Sequence, residues 1–322
     1  MSAASTIAFT DQSLEAVASQ FVADVEGYTL AATSATTGTA AFLLTLTQED
    51  VDIEKAQFPN EAYKIVFENG RVTVMARAST GVLWGTKTLL QLAKQVNYQW
   101  PTSGYIFDEP NDERRWFGVD CARHYFEPDF LKAVIRRGSN LKMNGLLLHA
   151  VDSEAFRYDI GKYPGLAPAG HGYNETVIGD LVDYGRKYGV EVMPGFEFPG
   201  HSAAMNLYFD VGVLLPGYES ITVFVTDVTN NSTLDIVHDL ISTVVPWFKQ
   251  PKYIHLGGDE VPESIMQMYS PFLQMIGGSA FQDDVMLKCG FDAIALTAAK
   301  QWNRDTSQVY KSKTEFEALT EA

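Results

Sequence analysis

The sequence predicts an α/β protein with two parts. Residues 1–107 mix β-rich runs with a helical pattern around an Asn-Gly turn, and from residue 116 onward short apolar runs alternate with helical patterns. Such alternation is typical of a parallel sheet covered on both faces. The acidic stretch 108–113, which proline interrupts, lies between the two patterns. We therefore predict an α+β domain over residues 1–112 and a second domain over residues 113–322.

The first part contains a strong hairpin signal. Residues 63–67 and 71–75 are apolar β-type runs, and Glu68-Asn69-Gly70 lies between them. Asn-Gly favours the tight turns that join antiparallel strands. Three further elements are predicted here: a strand over 42–47, a helix over 81–96 and a turn over 31–41.

The second part is predicted to alternate strands with helices. Glu127-Pro128 is a typical helix start, and Asn174 is a good cap for the next helix. The remaining predictions are strands over 116–119, 145–148, 190–193 and 253–256, a fifth strand near 291–294, and a helix capped by Ser232 or Thr233.

Charge and composition exclude several classes of function. The chain of 322 residues has a net charge of −16, which disfavours nucleic acid and anionic membranes as partners. No apolar run approaches the roughly 18 residues that a membrane span needs. The two cysteines, Cys121 and Cys289, allow one disulfide at most. The composition is that of a soluble globular protein. No signal peptide is visible at the start, so we expect either that the protein stays inside the cell or that the sequence begins after cleavage.

Polar residues follow the strands of the second part, at the point where each strand ends. Because ligands of parallel α/β folds bind at the carboxyl ends of strands, we predict one shared site. Its candidates are Asp120, Arg123 and His124 after the first strand, His149, Asp152 and Glu154 after the second, Glu197 and His201 after the third, and Gly257-Gly258-Asp259-Glu260 after the fourth.

Each candidate alone has an ordinary structural interpretation. Arg123 is most simply an ion-pair partner, His149 a core histidine, and His201 a turn residue. Adjacent carboxylates such as Asp259 and Glu260 repel each other, which favours one protonated acid beside one charged base. Such a pair of carboxyl groups is suited to general acid catalysis. Because the candidates follow four successive strands, we favour this function over the structural interpretations.

A serine esterase is an alternative of another class. Gly200-His201-Ser202-Ala203-Ala204 is close to a nucleophile elbow, with Ala204 in the place of the last glycine. Pro199 and the missing glycine fit that elbow poorly. Metal and nucleotide motifs are absent from the sequence, so we expect neither a metal nor a cofactor.

Taken together, the motifs resemble glycoside hydrolase family 20, the β-N-acetylhexosaminidases. The resemblance covers about residues 60–265. The matching segments are 119–126, 142–157, Tyr163-Pro164, 198–202 and 255–260. It implies a small α+β N-terminal domain followed by a TIM-type (β/α)8 barrel catalytic domain. It also implies a secreted or lysosome-like location.

The resemblance implies roles for six residues. Glu260 would be the general acid and base, and Asp259 would hold the acetamido group of the substrate, whose own oxygen acts as nucleophile. Arg123 would bind sugar hydroxyls, while Asp152, His201 and His149 would complete the substrate site. The expected partners are glycans that contain N-acetylglucosamine or N-acetylgalactosamine.

The sequence departs from the family pattern after Glu260. We place neither the family's tyrosine for the acetamido carbonyl nor its late carboxylate on any residue. The second domain has 210 residues (322 − 112), whereas a complete barrel usually needs about 250. We therefore expect an incomplete barrel, whose open edges call for an oligomer or a partner chain. The alternative is a non-catalytic remnant or a sugar-binding relative of the same fold.

Overall fold

A computed structural model of the chain describes residues 6–25, 31–34, 40–95, 99–261, 266 and 268–271. These residues form two compact units. The first unit holds the described residues up to Phe117 together with Glu127–Leu146 and Leu181–Val192. The second unit holds Gly118–Phe126, Leu147–Asp180 and the described residues from Met193 onward. The domain boundary between residues 112 and 113 stays a prediction.

The first unit is built on a six-stranded sheet with the order β2-β1-β3-β5-β4-β6. Its strands are β1 (Thr6–Phe9), β2 (Ala31–Ser34), β3 (Phe42–Leu46), β4 (Tyr63–Glu68), β5 (Arg71–Ala76) and β6 (Ser103–Asp108). β1 pairs in parallel with β2 and β3, and β3 pairs in parallel with β5. β4 is antiparallel to both β5 and β6.

Two predictions for this sheet, the hairpin around Asn69-Gly70 and the turn over 31–41, have different outcomes. The hairpin of β4 and β5 is confirmed, and both turn residues have positive φ, 49° at Asn69 and 73° at Gly70. The turn predicted over 31–41 is wrong at its start, because residues 31–34 form β2. Pairing with β1 gives this Ala- and Thr-rich run a ladder that its local sequence did not indicate. Residues 35–39 lie outside the described chain.

Helices complete the core of the first unit. They are α1 (Glu15–Asp24), which follows a short 3-10 turn at Gln12–Leu14, then α2 (Val51–Glu54) and α3 (Ser79–Gln95). α3 confirms the predicted helix and begins two residues earlier than expected. Phe21 of α1 and Trp84 of α3 are buried with Leu44 and Val74 of the sheet in one apolar cluster.

A second sheet has the order β7-β8-β9, with β7 at Trp116–Asp120, β8 at Gly145–His149 and β9 at Glu191–Gly195. The residues before β7 and β8 are bonded, since Asn144 N–H donates to the Arg115 carbonyl. The residues after the same strands are also bonded, since Cys121 N–H donates to the His149 carbonyl. β7 and β8 therefore run in the same direction, as predicted, and both end in the second unit.

Helices follow the strands of this second sheet. They are α4 (Pro128–Asn140), α5 (Glu175–Lys187), α6 (Ala203–Phe209), α7 (Glu219–Thr222) and α8 (Asn231–Val244), which a 3-10 turn at Val245–Phe248 extends. Pro128 opens α4 as predicted. Asn174 caps α5, since its Oδ1 accepts from Val177 N–H at 3.0 Å. The cap predicted for α8 is wrong: Asn230 fills that place and accepts from Ser232 N–H at 2.9 Å. Asn230 lies two residues before Ser232 and three before Thr233, and its side chain offers an equally good cap oxygen.

The fourth predicted strand, over 253–256, is only a single parallel bridge between Gly195 and His255. Phe196 N–H donates to the His255 carbonyl, and His255 N–H donates to the Pro194 carbonyl. The next step of this ladder would need an N–H at residue 194, and proline has none. The predicted fifth strand near 291–294 lies outside the described residues. Within the described chain, no helix is long and apolar enough to cross a membrane.

Candidate active site

Asp152 is the centre of a charged cluster in the second unit. Its side chain is only 2% exposed, and it follows β8 by three residues. Oδ2 lies 2.8 Å from Nη2 of Arg123 and 2.9 Å from Nε2 of His149. Oδ1 accepts from Ser153 N–H at 2.6 Å and lies 3.3 Å from Nδ1 of His201. One buried carboxylate therefore joins three of the predicted site residues.

The surroundings of Asp152 favour its charged form. Burial raises the pKa of the carboxyl group, but hydrogen bonds from His149 and the Ser153 N–H, together with the charge of Arg123, outweigh it. The pKa is therefore held below the ordinary value for aspartate. A buried carboxylate needs such partners, because an unpaired charge away from water is very costly.

Arg123 extends from this buried anchor toward solvent. Its side chain is 48% exposed, and Nη1 lies 3.0 Å from Asp120 while Nε lies 3.6 Å from Glu154. Asp120 also accepts the main-chain N–H groups of Ala122 and Arg123. Each of the three guanidinium nitrogens thus lies near a carboxylate, while the exposed half of the side chain leaves the group within reach of neighbouring hydroxyl groups.

The chain after β9 holds the segment that carries the Asp-Glu pair. Glu197 is buried, and its Oε1 accepts from Gly258 N–H at 2.7 Å and from Asp259 N–H at 3.1 Å. Gly257 has a φ of 77°, and a Cβ there would overlap the Glu197 carboxylate. The sequence places Glu197 among the candidate residues that follow the third predicted strand, but it assigns no role to this side chain. The need for a glycine at position 257 is the local signal that a side chain packs against this turn.

His201 and Glu260 meet at the open end of the cluster. Nε2 of His201 lies 3.3 Å from Oε2 of Glu260, whose side chain is 78% exposed. Within the described chain, this buried Nε2 makes no hydrogen bond of good geometry. Both residues have positive φ, 49° and 45°. Non-glycine residues in this region are strained, and such strain is concentrated at functional sites.

The structure thus joins five of the six predicted site residues by side-chain contacts: Arg123, His149, Asp152, His201 and Glu260. Asp259 is linked through its N–H to Glu197, and its own side chain is exposed. His124 lies apart in its contacts, with its ring 4.7 Å from that of Phe126. The catalytic and binding roles of these residues stay predictions.

The esterase alternative finds no support in this geometry. Ser202 is fully buried, and its hydroxyl donates to the carbonyls of Glu197 and Gly200 at 2.8 and 2.7 Å. A nucleophilic serine must be reachable and must face a histidine. Ser202 instead braces the turn that carries His201.

Two other sequence features concern cysteine and metal chemistry. Cys121 is buried, and burial raises the pKa of its thiol to about 12, so it is an inert core residue. Cys289, the other half of the disulfide that the sequence allows, lies outside the described residues. In the part of the chain that the structure describes, no group of three or more His, Cys, Asp or Glu side chains is arranged to hold a metal ion.

Comparison with known proteins agrees with the resemblance noted in the sequence. The family model described as the glycosyl hydrolase family 20 catalytic domain matches residues 114–314, and the model for domain 2 of the same family matches residues 1–108. Among curated relatives, β-hexosaminidase subunit A1 of Dictyostelium discoideum is 30% identical over 69% of this chain and 43% of its own length. The chain thus spans less than half the length of this relative.

Solved structures show the same fold. A chitobiase from Flavobacterium johnsoniae has a TM-score of 0.77 at 20% identity, over 93% of this chain and 48% of that chain. A Streptomyces plicatus β-hexosaminidase in complex with its product N-acetylglucosamine has a TM-score of 0.67 at 25% identity, over 89% and 60%. The fold is the α/β barrel type of this family, with partial coverage that fits an incomplete barrel. The family models together span most of the chain, and the protein belongs to glycosyl hydrolase family 20.

Proposed function

We propose that this chain carries the catalytic carboxylates of a β-N-acetylhexosaminidase, which removes terminal β-linked N-acetylglucosamine or N-acetylgalactosamine from glycans. The observation that carries the proposal is the contact series from Arg123 through Asp152 and His201 to Glu260, with distances of 2.8, 3.3 and 3.3 Å. It combines a hydroxyl-binding guanidinium with an exposed carboxyl group that a histidine backs. Relatives named β-hexosaminidase support the substrate class.

The proposed reaction has two steps. In the first step, the acetamido oxygen of the sugar attacks C1 as the glycosidic bond breaks, and the Glu260 carboxyl gives its proton to the departing oxygen. Asp259 accepts a hydrogen bond from the acetamido N–H and balances the positive charge of the oxazolinium ring. In the second step, Glu260 takes a proton from water, which attacks C1; the bond between C1 and the acetamido oxygen breaks, the acetamido group is regenerated and the β configuration is restored.

The remaining cluster supports these two carboxylates. Asp152 fixes Arg123 and His149, and its charge also lies 3.3 Å from Nδ1 of His201. His201 forms the wall beside Glu260. Glu197 holds the main chain at Asp259, so that the two carboxyl groups of the pair point to defined places. Such preorganisation lowers the cost of assembling the transition state.

Replacing Glu260 tests the proposal. Glu260→Gln keeps the side-chain shape but removes the proton that the departing oxygen needs, so kcat should fall by about 10² to 10⁴-fold. The loss should be smaller for a nitrophenyl glycoside than for chitobiose, because nitrophenolate leaves without protonation. Glu49→Gln, an exposed glutamate in the first unit, is the matched control and should leave both rates unchanged.

The same assay distinguishes the alternative function. A chain that binds a thiazoline-type inhibitor but turns over neither substrate would be a sugar-binding relative rather than an enzyme. Turnover that survives Glu260→Gln unchanged for both substrates would show that Glu260 is not the acid.

A further inference from the structure

Arg157 is a buried cation that the proposed reaction does not use. It directly follows the bridge between Val151 and Phe156 and is only 9% exposed. Its side chain donates three hydrogen bonds to main-chain carbonyls. Nε binds the Cys121 carbonyl at 2.9 Å, Nη2 binds the Ala122 carbonyl at 2.9 Å, and Nη1 binds the His171 carbonyl at 3.3 Å.

The geometry of the first two bonds depends on arginine. Nε and Nη2 form one edge of the planar guanidinium, and that edge reaches two successive carbonyls of the chain. Lysine carries the same charge but has a compact ammonium group, which lacks this rigid two-donor edge. In the described residues, no carboxylate lies within ion-pair distance of Arg157. The carbonyl dipoles, together with the Tyr125 ring 5.9 Å from the guanidinium, therefore compensate the cost of burying its charge.

The same two peptide units are held from their other side. Asp120 Oδ1 accepts from the N–H groups of Ala122 and Arg123 at 3.1 and 3.0 Å. The His149 carbonyl accepts from the N–H groups of Cys121 and Ala122 at 2.8 and 3.0 Å. Every main-chain polar group of residues 121 and 122 thus has a partner, and Arg157 supplies both partners of the carbonyls.

We propose that Arg157 is a positioning residue that fixes the main chain under Arg123, and so sets where the Arg123 guanidinium meets a sugar. This inference rests on the proposed function, since it concerns the sugar site of the same chain. Arg123 is half exposed, and its long side chain would otherwise sample many rotamers. With its main chain fixed by Arg157 and its tip anchored on Asp152, the Arg123 guanidinium is ordered before the sugar binds, which improves affinity without a new contact.

A double-mutant cycle on the full chain tests this role. Arg157→Lys should lower kcat/KM for a chromogenic β-N-acetylglucosaminide about tenfold, mostly through KM, which is the effect of losing one charged hydrogen bond. In an Arg123→Ala background, the same substitution should change kcat/KM less than about twofold, because the guanidinium that Arg157 positions is no longer present. The pH profile should be unchanged, since Arg157 does not touch Glu260.

Arg115→Lys is the matched control. Arg115 also donates to two main-chain carbonyls, those of Lys142 and Asp112, and it contacts Glu61 within the first unit. Its replacement should leave KM unchanged. Equal losses from Arg157→Lys in both backgrounds, or an equal rise of KM in Arg115→Lys, would overturn the proposal, because the effect would then be one of general destabilisation.

Hydrogen exchange provides a reading that needs no turnover. Arg157→Lys should speed amide exchange in a peptide that covers residues 120–124 by about tenfold or more, while a peptide that covers Ser103–Asp108 keeps its protection. Arg157→Gln, which retains a donor and buries no charge, serves if the lysine variant fails to fold. Unchanged exchange at 120–124 would overturn the positioning role, whereas absent turnover with altered exchange would count against the proposed function alone.

Discussion

Two buried aspartates organise the two units in contrasting ways. In the first unit, Asp24 lies 2.5 Å from Lys87 and 2.9 Å from Arg136. In the second unit, Asp152 lies 2.8 Å from Arg123 and 2.9 Å from His149. Both carboxylates are almost fully buried. Asp24 joins two side chains that can carry positive charge and Asp152 joins three, the third being His201 at 3.3 Å, so their immediate chemistry is similar.

The two clusters differ in how exposed Lys87 and Arg123 are. The Lys87 side chain has no exposed surface, and its ammonium lies over the ring of Tyr188 at 5.1 Å. Burial lowers the pKa of Lys87, although Asp24 opposes this effect. Arg123, in contrast, is half exposed, so solvent or a ligand can reach its guanidinium. Lys87 and Arg123 thus differ in their exposure and not in the burial of the carboxylate that each one contacts.

The largest effect that we expect from this contrast is on stability at Asp24. Asp24→Asn should lower the free energy of unfolding by about 3 to 5 kcal/mol, because it leaves the buried ammonium of Lys87 without its anion. Urea unfolding measures this loss. Asp52→Asn is the control: Asp52 also pairs with a lysine, Lys64 at 2.7 Å, but is half exposed, so its loss should stay below about 1 kcal/mol. Equal losses at the two positions would remove the distinction that we draw from burial.

A second prediction compares two glycines with nearly the same backbone. Gly70 has a φ of 73° with open space around its missing Cβ, whereas Gly257 has a φ of 77° and a Cβ there would strike Glu197. Gly70→Ala should lower the free energy of unfolding by about 1 to 2 kcal/mol, which is the strain of placing alanine in a left-handed conformation. Gly257→Ala should cost about 2 kcal/mol more, because it also displaces the carboxylate that binds Gly258 and Asp259.

Unfolding and activity together measure this comparison. Gly257→Ala should lower kcat as well as stability, since it moves the main chain that carries Asp259 and Glu260. Gly70→Ala should leave kcat unchanged. If both substitutions lowered the free energy of unfolding by similar amounts, the Glu197 side chain could move at little energetic cost and would not hold the turn.

Local sequence was sufficient where one residue type decides the backbone. Asn69-Gly70 predicts its turn because both residues tolerate positive φ. Glu127-Pro128 predicts a helix start because proline fits the first turn. The candidate site was predictable for a similar reason: Arg123, Asp152 and His201 all follow strand ends, and parallel strands bring such ends to one edge.

Long-range pairing could not be predicted. β2 forms from an Ala- and Thr-rich run only because β1 is beside it. The fourth predicted strand shrinks to one bridge because Pro194, on the neighbouring strand, lacks an N–H. Asp24 and Lys87 are 63 positions apart, and neither stands in a motif. Their pairing became visible only when the fold brought α1 and α3 into one core.

The smallest effect that we expect concerns the pH dependence of stability at Asp152. The pKa of this carboxyl is lower in the folded chain than its ordinary value, so the folded state binds fewer protons than the unfolded state. The stabilisation that Asp152 provides is therefore complete above its unfolded pKa of about 3.9, and it is lost as pH falls through the lower, folded value. Asp152→Asn removes this contribution. The variant should be about 1 to 3 kcal/mol less stable than the parent at pH 5.5, and that gap should narrow below about pH 4 in urea unfolding. Because Arg123 is half exposed whereas Lys87 is fully buried, the loss at pH 5.5 should stay below that of Asp24→Asn. A gap that widens toward pH 3 would mean that Asp152 is protonated in the folded state, and the two aspartates would then differ in charge rather than in the exposure of their cations.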